Sequence, residues 1–366
     1  MRIAIISPNR NAWSETFIAN HIDHLPGVGL VLTDGHLPRR DRDGGPLVHP
    51  TLLKRILQRV RGSRPDDVLR DAIVRRLRKH RIQLVLAEYG PTGEAMVAAC
   101  ERAGAALAVH FHGIDAFHHR LLKDNHRYQR LFAAATAVVA VSREMEQQLL
   151  QLGCPSEKLH YNCYGIAVEH FSPADVSTSP KHFLAVGRFV DKKAPQLTLA
   201  AFAQAHRSDP EMRLTMAGDG PLWESTRSLA GALGVVDAVE FPGVVTQEQV
   251  AALMKGSRAF VQHSIITREN DHEGTPLSVL EAMASGLPVI STRHAGIPDV
   301  VEHGVNGLLC AEGDTNAMAA HLVQLSNDPA LAGRMGAAGR QRALENHRLE
   351  DSLSRLAAIL EGAVRA

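Results

Sequence analysis

Residues His272–Thr292 read HEGTPLSVLEAMASGLPVIST: a polar turn, a short apolar helix pattern and a β-branched run in direct succession. The apolar segment opens at Gly274-Thr275-Pro276 and is stopped by Gly286 and Pro288. Glycine ends a helix without a Cβ penalty and proline cannot continue one. Two glutamates eight residues apart, Glu273 and Glu281, border this turn and helix. An acid ahead of a helix can serve the helix dipole alone. A second acid within an apolar helix is costly unless something polar meets it. Both acids around one Gly-Thr-Pro start point to a ligand.

The same alternation runs outward along the chain. Apolar runs followed by Gly or polar residues and then a helical pattern recur as RIAIIS, LVLTDG, LVLAEYG, LAVHFHG and AVVAVS in the first half. HFLAVGR, RLTMAGD, AVEFPG, AFVQHS, PVIST and NGLLC follow in the second. Strands alternating with helices predict parallel sheets covered on both faces. The chain of 366 residues is too long for one ordinary core, and suits two domains of roughly 150 to 200 residues. The expected division is a first domain over 1–171, a polar linker over 172–181, a second domain over 182–345 and a C-terminal helix over 346–366 that packs back on the first. Ligands of such sheets bind beyond the carboxyl ends of the strands, so the expected architecture is α/β, two doubly wound Rossmann-like domains facing across a cleft.

Composition narrows the partners. Hydrophobic residues make up 45% and net charge is +1, which suits packed cores and argues against nucleic acid as partner. The four cysteines form no C-x-x-C pair, so neither a disulfide framework nor a zinc-ligand spacing is expected. The opening MRIAIISPN reads as a first strand rather than a signal peptide. No run of about twenty apolar residues occurs, which excludes a spanning helix. A cytoplasmic setting is the expectation. Charge is uneven, however: Lys54 to Arg81 holds eleven Lys/Arg against three Asp. Leu52, Leu53, Ile56, Leu57 and Val60 fit one helical face, and Leu69, Ile73 and Leu77 another. Two amphipathic helices with basic outer faces follow. They are either solvated or a peripheral docking surface for anionic lipid on the inner face of the plasma membrane.

The run LAVGRFVDKKAP places Gly187 and Arg188 directly after a strand, with Lys193 five residues on. Arg offers a planar fork for phosphate oxygens and Lys a point charge. Alone the pair is a weak signal. Gly274-Thr275-Pro276-Leu277 adds a helix start, whose unpaired N–H groups favour an anion. Together they describe a diphosphate cradle that needs no metal. Glu281 can then accept hydrogen bonds from vicinal sugar hydroxyls, and Glu273 from hydroxyls on the far side of the diphosphate.

The segment resembles the glutamate-x7-glutamate signature of retaining glycosyltransferase family 4, the GT-B group of bacterial polysaccharide and lipid-glycan enzymes. SETFIANHI, HFHGIDAF, VGRFVDKKA, MAGDGPLWE and VEFPGVV stand in that family's order, so the likeness spans nearly the whole chain. It implies that Arg188 and Lys193 hold the donor diphosphate and that the Gly274–Leu277 turn caps it. Glu281 would bind the ribose and Glu273 the transferred sugar. Gly218 and Gly220 fall in a glycine-rich turn, Val244 where the base sits, and His112 close to the reacting sugar. Three places depart from the family. PNRNAWSET replaces a Gly-Gly loop, which leaves Ser14, Glu15 and Thr16 as acceptor contacts. NCYGIAVEHF keeps Gly165 but lacks the usual acid. Ala194 stands for the usual Gly, a mild change if its backbone angles are ordinary.

His110 and His112 share one strand face, with His118 and His119 following. With Asp115 as the one carboxylate at ligand spacing, the expectation is no metal: a core role for His110 and a ligand-facing one for His112. The implied activity is transfer of a sugar, with retention, from a nucleotide diphosphate sugar (UDP-sugar by family frequency) to a hydroxyl of a glycan or lipid-linked acceptor. No cofactor is required. A sugar-nucleotide epimerase, a non-catalytic nucleotide-sugar-binding protein and a membrane scaffold are the alternatives.

Overall fold

The computed structural model describes residues 1–10, 15–48 and 65–365. The chain divides into two compact units, Met1–Asn162 with Leu353–Ala366, and Cys163–Ser352. The expected ranges grouped residues 163–171 with the first domain; backbone pairing groups them with the second. Ile166 N–H donates to His347 O at 2.9 Å, and Leu349 N–H donates to Ile166 O at 2.9 Å. The 172–181 interval is also held by the second unit, through Ala174 N–H to Ser285 O at 2.8 Å and Arg258 Nε to Ser179 Oγ at 3.1 Å. The last helix, Leu349–Arg365, begins in the second unit and belongs to the first from Leu353 onward.

Among its described residues the first unit holds seven strands: β1 (Ile3–Ile6), β2 (Val28–Thr33), β3 (Arg40–Asp41), β4 (Leu84–Glu88), β5 (Ala106–His110), β6 (Ala137–Ala140) and β7 (Leu159–Tyr161). They lie in the order β3-β2-β1-β4-β5-β6-β7, all parallel except the β2–β3 pair. The second unit holds β8 (His182–Val186), β9 (Arg213–Ala217), β10 (Val239–Gly243), β11 (Ala259–Gln262), β12 (Val289–Thr292) and β13 (Gly307–Cys310). Their order is β10-β9-β8-β11-β12-β13, parallel throughout. All eleven runs read from the sequence are strands, and β3 and β7 are additions. Every residue of β1, β4, β6, β11, β12 and β13 is buried, as expected of parallel strands with helices on both faces. In each unit the order reverses direction beside the first strand, β1 next to β4 and β8 next to β11. That is the switch point where such sheets bind ligands.

The helix Pro65–Lys79 buries Ile73 and Leu77 and half-buries Leu69, the apolar face the spacing predicted. Arg75 and Arg78 are exposed, but Arg78 donates to the Arg102 carbonyl and Arg76 lies 3.9 Å from Asp41. The other basic helix, with Arg55, Arg59 and Arg61, falls outside the described residues, as does Ser14. Among the described residues no helix is long and apolar enough to cross a membrane.

Candidate active site

In the second unit the residues of interest gather at the carboxyl ends of β8, β9 and β11. Gly187 N–H donates to Ala217 O at 3.0 Å and Phe189 N–H to Asp219 O at 2.9 Å, so the turn after β8 lies flat on the turn after β9. Glycine makes this approach possible. A Cβ on Gly218 (φ +131°) would collide with the Gly187 carbonyl, and one on Gly220 (φ +155°) would stand 2.6 Å from the Phe189 carbonyl oxygen. The glycine-rich turn therefore shapes the backbone that carries Arg188, which is exposed. Gly187, Arg188 and Lys193 line one open pocket with Thr198, Met216 and Gln262.

Lys193 ends the turn Asp191–Lys193 and lays its stem against Gly187, where a Cβ would lie 3.0 Å from Lys193 Cδ. Its Nζ is 3.2 Å from Glu273 Oε1. The next residue corrects an expectation: Ala194 has φ 37° and ψ 55°, a left-handed conformation, so its angles are not ordinary. This conformation costs a non-glycine residue about 1–2 kcal/mol. Ala194→Gly is therefore expected to raise the unfolding free energy by about 1 kcal/mol, since glycine's greater unfolded-state entropy takes back part of that strain. A urea unfolding curve with an unchanged slope and a higher midpoint is the expected result.

Glu273 sits on the loop between β11 and the helix Leu277–Ala284 and is buried. Burial pushes its carboxyl up, but Lys193 and Lys192 outweigh burial and hold it at about 2. Burial also pulls the Lys193 ammonium down, against the attraction of Glu273. Glu281, half-buried one turn into the helix, behaves in the opposite way. Burial pushes its carboxyl up to about 7, with Lys193 opposing. Pro276 stands just outside the helix Leu277–Ala284. It is the N-cap, extended at φ −64° and ψ 124°, and its own side chain offers no cap. Leu277 is the first helical residue; the Val279 N–H already donates to the Pro276 carbonyl at 3.1 Å, so an anion would meet the N–H groups ahead of it. Gly274 accepts Gly296 N–H at 3.0 Å, and Thr275 is buried. Val244, just past β10, is 55% exposed, an apolar surface residue open to a planar base.

The first unit places Glu15 and Thr16 at the start of the helix Thr16–His24. Glu15 Oε1 accepts from Asn9 Nδ2 at 2.6 Å and from Tyr89 Oη at 2.8 Å. His112 follows β5 and is buried between Phe17 and Tyr89, with ring centroids at 4.5 and 4.6 Å. Its backbone N–H and that of Gly113 donate to Asp115 Oδ1 at 2.9 and 3.1 Å. Asp115 is thus used by the backbone, and a different acid meets the histidines. Glu88, fully buried at the end of β4, takes His21 Nδ1 at 2.9 Å on one oxygen and His112 Nε2 at 2.8 Å on the other. Burial disfavours the Glu88 anion, yet the two histidines hold its carboxyl far below the usual range. His110 Nδ1 lies 3.8 Å from Glu88, and burial drives His110 well below its ordinary value, hence neutral.

The reading of Asp115 as the lone carboxylate near these histidines is therefore corrected. Register explains the omission: Glu88 lies opposite His110 across the β4–β5 pair, an adjacency visible only once strand order is known. His21, Glu88 and His110 each offer a ligand atom within 4.8 Å of the others and could hold a metal ion. Both Glu88 oxygens already lie at hydrogen-bonding distance from imidazoles.

Comparison with known proteins gives the family and the fold. The family described as "Glycosyltransferase Family 4" matches residues 29–170, and "Glycosyl transferases group 1" matches residues 169–342. The chain is 32% identical over 254 residues to the amylovoran biosynthesis glycosyltransferase AmsK of Erwinia amylovora, covering 69% of this chain and 62% of that protein. It is 27% identical over 317 residues to a GDP-mannose-dependent phosphatidylinositol monomannoside mannosyltransferase of Mycolicibacterium smegmatis, covering 81% of each. Among solved structures, HepE of Anabaena in complex with UDP superposes with a TM-score of 0.78 at 18% identity, over 99% of this chain and 100% of that one. The chain belongs to glycosyltransferase family 4, with the GT-B fold. It spans about three-fifths of the length of the amylovoran and colanic acid relatives it matches.

Proposed function

We propose that the protein transfers a sugar, with retained anomeric configuration, from a nucleotide diphosphate sugar to a hydroxyl of a glycan or lipid-linked acceptor in polysaccharide synthesis. The observation that carries this reading is the Lys193–Glu273 pair at 3.2 Å, set beside exposed Arg188 and the N-terminus of the helix Leu277–Ala284. The two cations and the first-turn amides would hold the donor diphosphate, and Glu273 and Glu281 its sugar hydroxyls. The bond from the anomeric carbon to the phosphate oxygen breaks, and charge grows on the diphosphate where those groups already point. The acceptor oxygen bonds to the anomeric carbon on the same face, and its proton passes to the departing phosphate oxygen. No carboxylate of the cradle is assigned as a covalent nucleophile, and no cofactor or metal is required.

UDP is the proposed carrier. HepE is described with UDP-glucose as well as UDP, and the mycobacterial relative is described as GDP-mannose-dependent, so the base is to be tested. His112, Glu15 and Thr16 are the proposed acceptor contacts in the first unit. The basic run, Arg75, Arg76 and Arg78 among the described residues, is proposed to meet anionic lipid at the cytoplasmic leaflet.

The test is nucleotide release from UDP- and GDP-sugars with and without a polyprenyl-linked glycan acceptor. Release that depends on acceptor supports transfer. Conversion of the donor sugar without acceptor marks an epimerase, and binding without turnover marks a non-catalytic protein.

A further inference from the structure

The loop from His263 to Pro276 carries Glu273 away from β11 and back to the helix Leu277–Ala284. Two residues outside this loop, each just past the end of a neighbouring strand, tie both of its limbs to one point. Glu312 follows β13, and its Oε2 accepts Ile266 N–H at 2.8 Å on the outgoing limb. Its other oxygen is 2.6 Å from His294 Nδ1, just past β12. His294 Nε2 lies 3.1 Å from Glu273 N, on the returning limb. The direction of each bond is determined. A backbone N–H only donates, so His294 Nε2 carries the lone pair and Nδ1 carries the proton given to Glu312. Burial disfavours the Glu312 anion, but the His294 and Ile266 bonds outweigh it and hold its carboxyl below the ordinary range. The His294 side chain is wholly buried, where an unpaired N–H or imidazole nitrogen would be costly.

We infer that His294 and Glu312 are positioning residues for the donor sugar: they hold the Glu273 backbone so that its carboxylate meets Lys193 and the transferred sugar. This inference rests on the proposed role of Glu273. It extends that role to a pair of residues whose side chains bond to the Glu273 and Ile266 backbone rather than to Arg188 or Lys193. The remaining anchors of the loop secure other points. Lys192 Nζ binds Asp271 Oδ1 at 3.1 Å and the His272 carbonyl at 3.0 Å, and Gly296 N–H binds the Gly274 carbonyl at 3.0 Å. The Glu273 N–H is held by His294. An anionic Glu312 fixes the tautomer that makes this possible, as carboxylates fix metal-bound imidazoles.

The experiment compares His294→Leu, which fills the space without an acceptor, with His294→Gln, whose amide oxygen reaches the Nε2 position, and with the milder Glu312→Gln. For His294→Leu the expected result is at least a tenfold fall in kcat with the dissociation constant for UDP, which lacks the sugar, within twofold of wild type. His294→Gln should restore most of the loss, and Glu312→Gln should fall between. Amide exchange at Glu273 should be slow in the wild type and fast in His294→Leu, a readout independent of turnover. Fast exchange in the wild type would overturn the inference, as would equal loss of UDP affinity and kcat. Glu273→Gln separates the two readings. If it loses turnover while His294→Leu keeps it, the positioning role fails and the donor site stands. If Glu273→Gln keeps turnover, the role assigned to Glu273 itself fails.

Discussion

Arg188→Ala is expected to lower kcat by about a hundredfold, the usual loss when one preorganised electrostatic contact to a developing charge is removed. Its melting temperature should barely move, because the side chain is exposed and such substitutions fall within about 0.5 kcal/mol. Lys193→Ala should lose at least as much rate and be destabilised as well. Its ammonium lies 3.2 Å from buried Glu273, and removing one partner of a buried pair leaves an uncompensated charge, at about 3–5 kcal/mol. The two variants thus separate catalysis from folding. Steady-state kinetics beside thermal melts checks both. Wild-type turnover in Arg188→Ala would remove the strand-end cation from the mechanism.

Glu281 gives the second large effect, as a dependence on pH. Burial pushes its carboxyl up to about 7 before ligand binds. In the proposed role, ribose hydroxyls would donate to the anion and favour it, so the bound form would have the lower value and association would need the deprotonated acid. Affinity for a nucleotide sugar is therefore full above pH 7 and falls as pH drops below it. The fall approaches tenfold per pH unit, about 1.4 kcal/mol each, until the value in the complex is reached. The diphosphate diester of a nucleotide sugar does not titrate in this window. Glu281→Gln should bind more weakly at pH 8 and show a flattened profile. Calorimetric titration from pH 5.5 to 8 measures it, and a flat wild-type profile would mean that Glu281 does not meet the ligand as an anion.

Periodicity made the two sheets legible, because parallel strands buried on both faces are near-continuous apolar runs. β3, with two residues, and β7, half-buried LHY, are too short and too polar to announce themselves. Places were equally legible for Arg188, just past a strand, for Lys193 five residues on, and for Glu273, on the loop before a helix. Partners that depend on which strands lie side by side were not. Glu88 reaches His112 because β4 pairs with β5, and Glu312 reaches Glu273 through His294 because β13 pairs with β12, which pairs with β11. A chain read in one dimension shows Glu88 as the last residue of an apolar strand and Glu312 as a loop acid. Backbone angles were hidden too: Ala194 takes a left-handed conformation, and nothing in DKKAP but family habit suggested it.

In the proposed mechanism Arg188, Lys193 and the start of the helix Leu277–Ala284 hold a nucleotide diphosphate without a divalent ion. Isothermal titration of UDP into metal-stripped protein in excess EDTA tests it most directly. Saturable binding at one site is expected, unchanged when magnesium or manganese is present and weakened at least tenfold in Arg188→Ala. Binding that vanishes in EDTA and returns with either metal would contradict it.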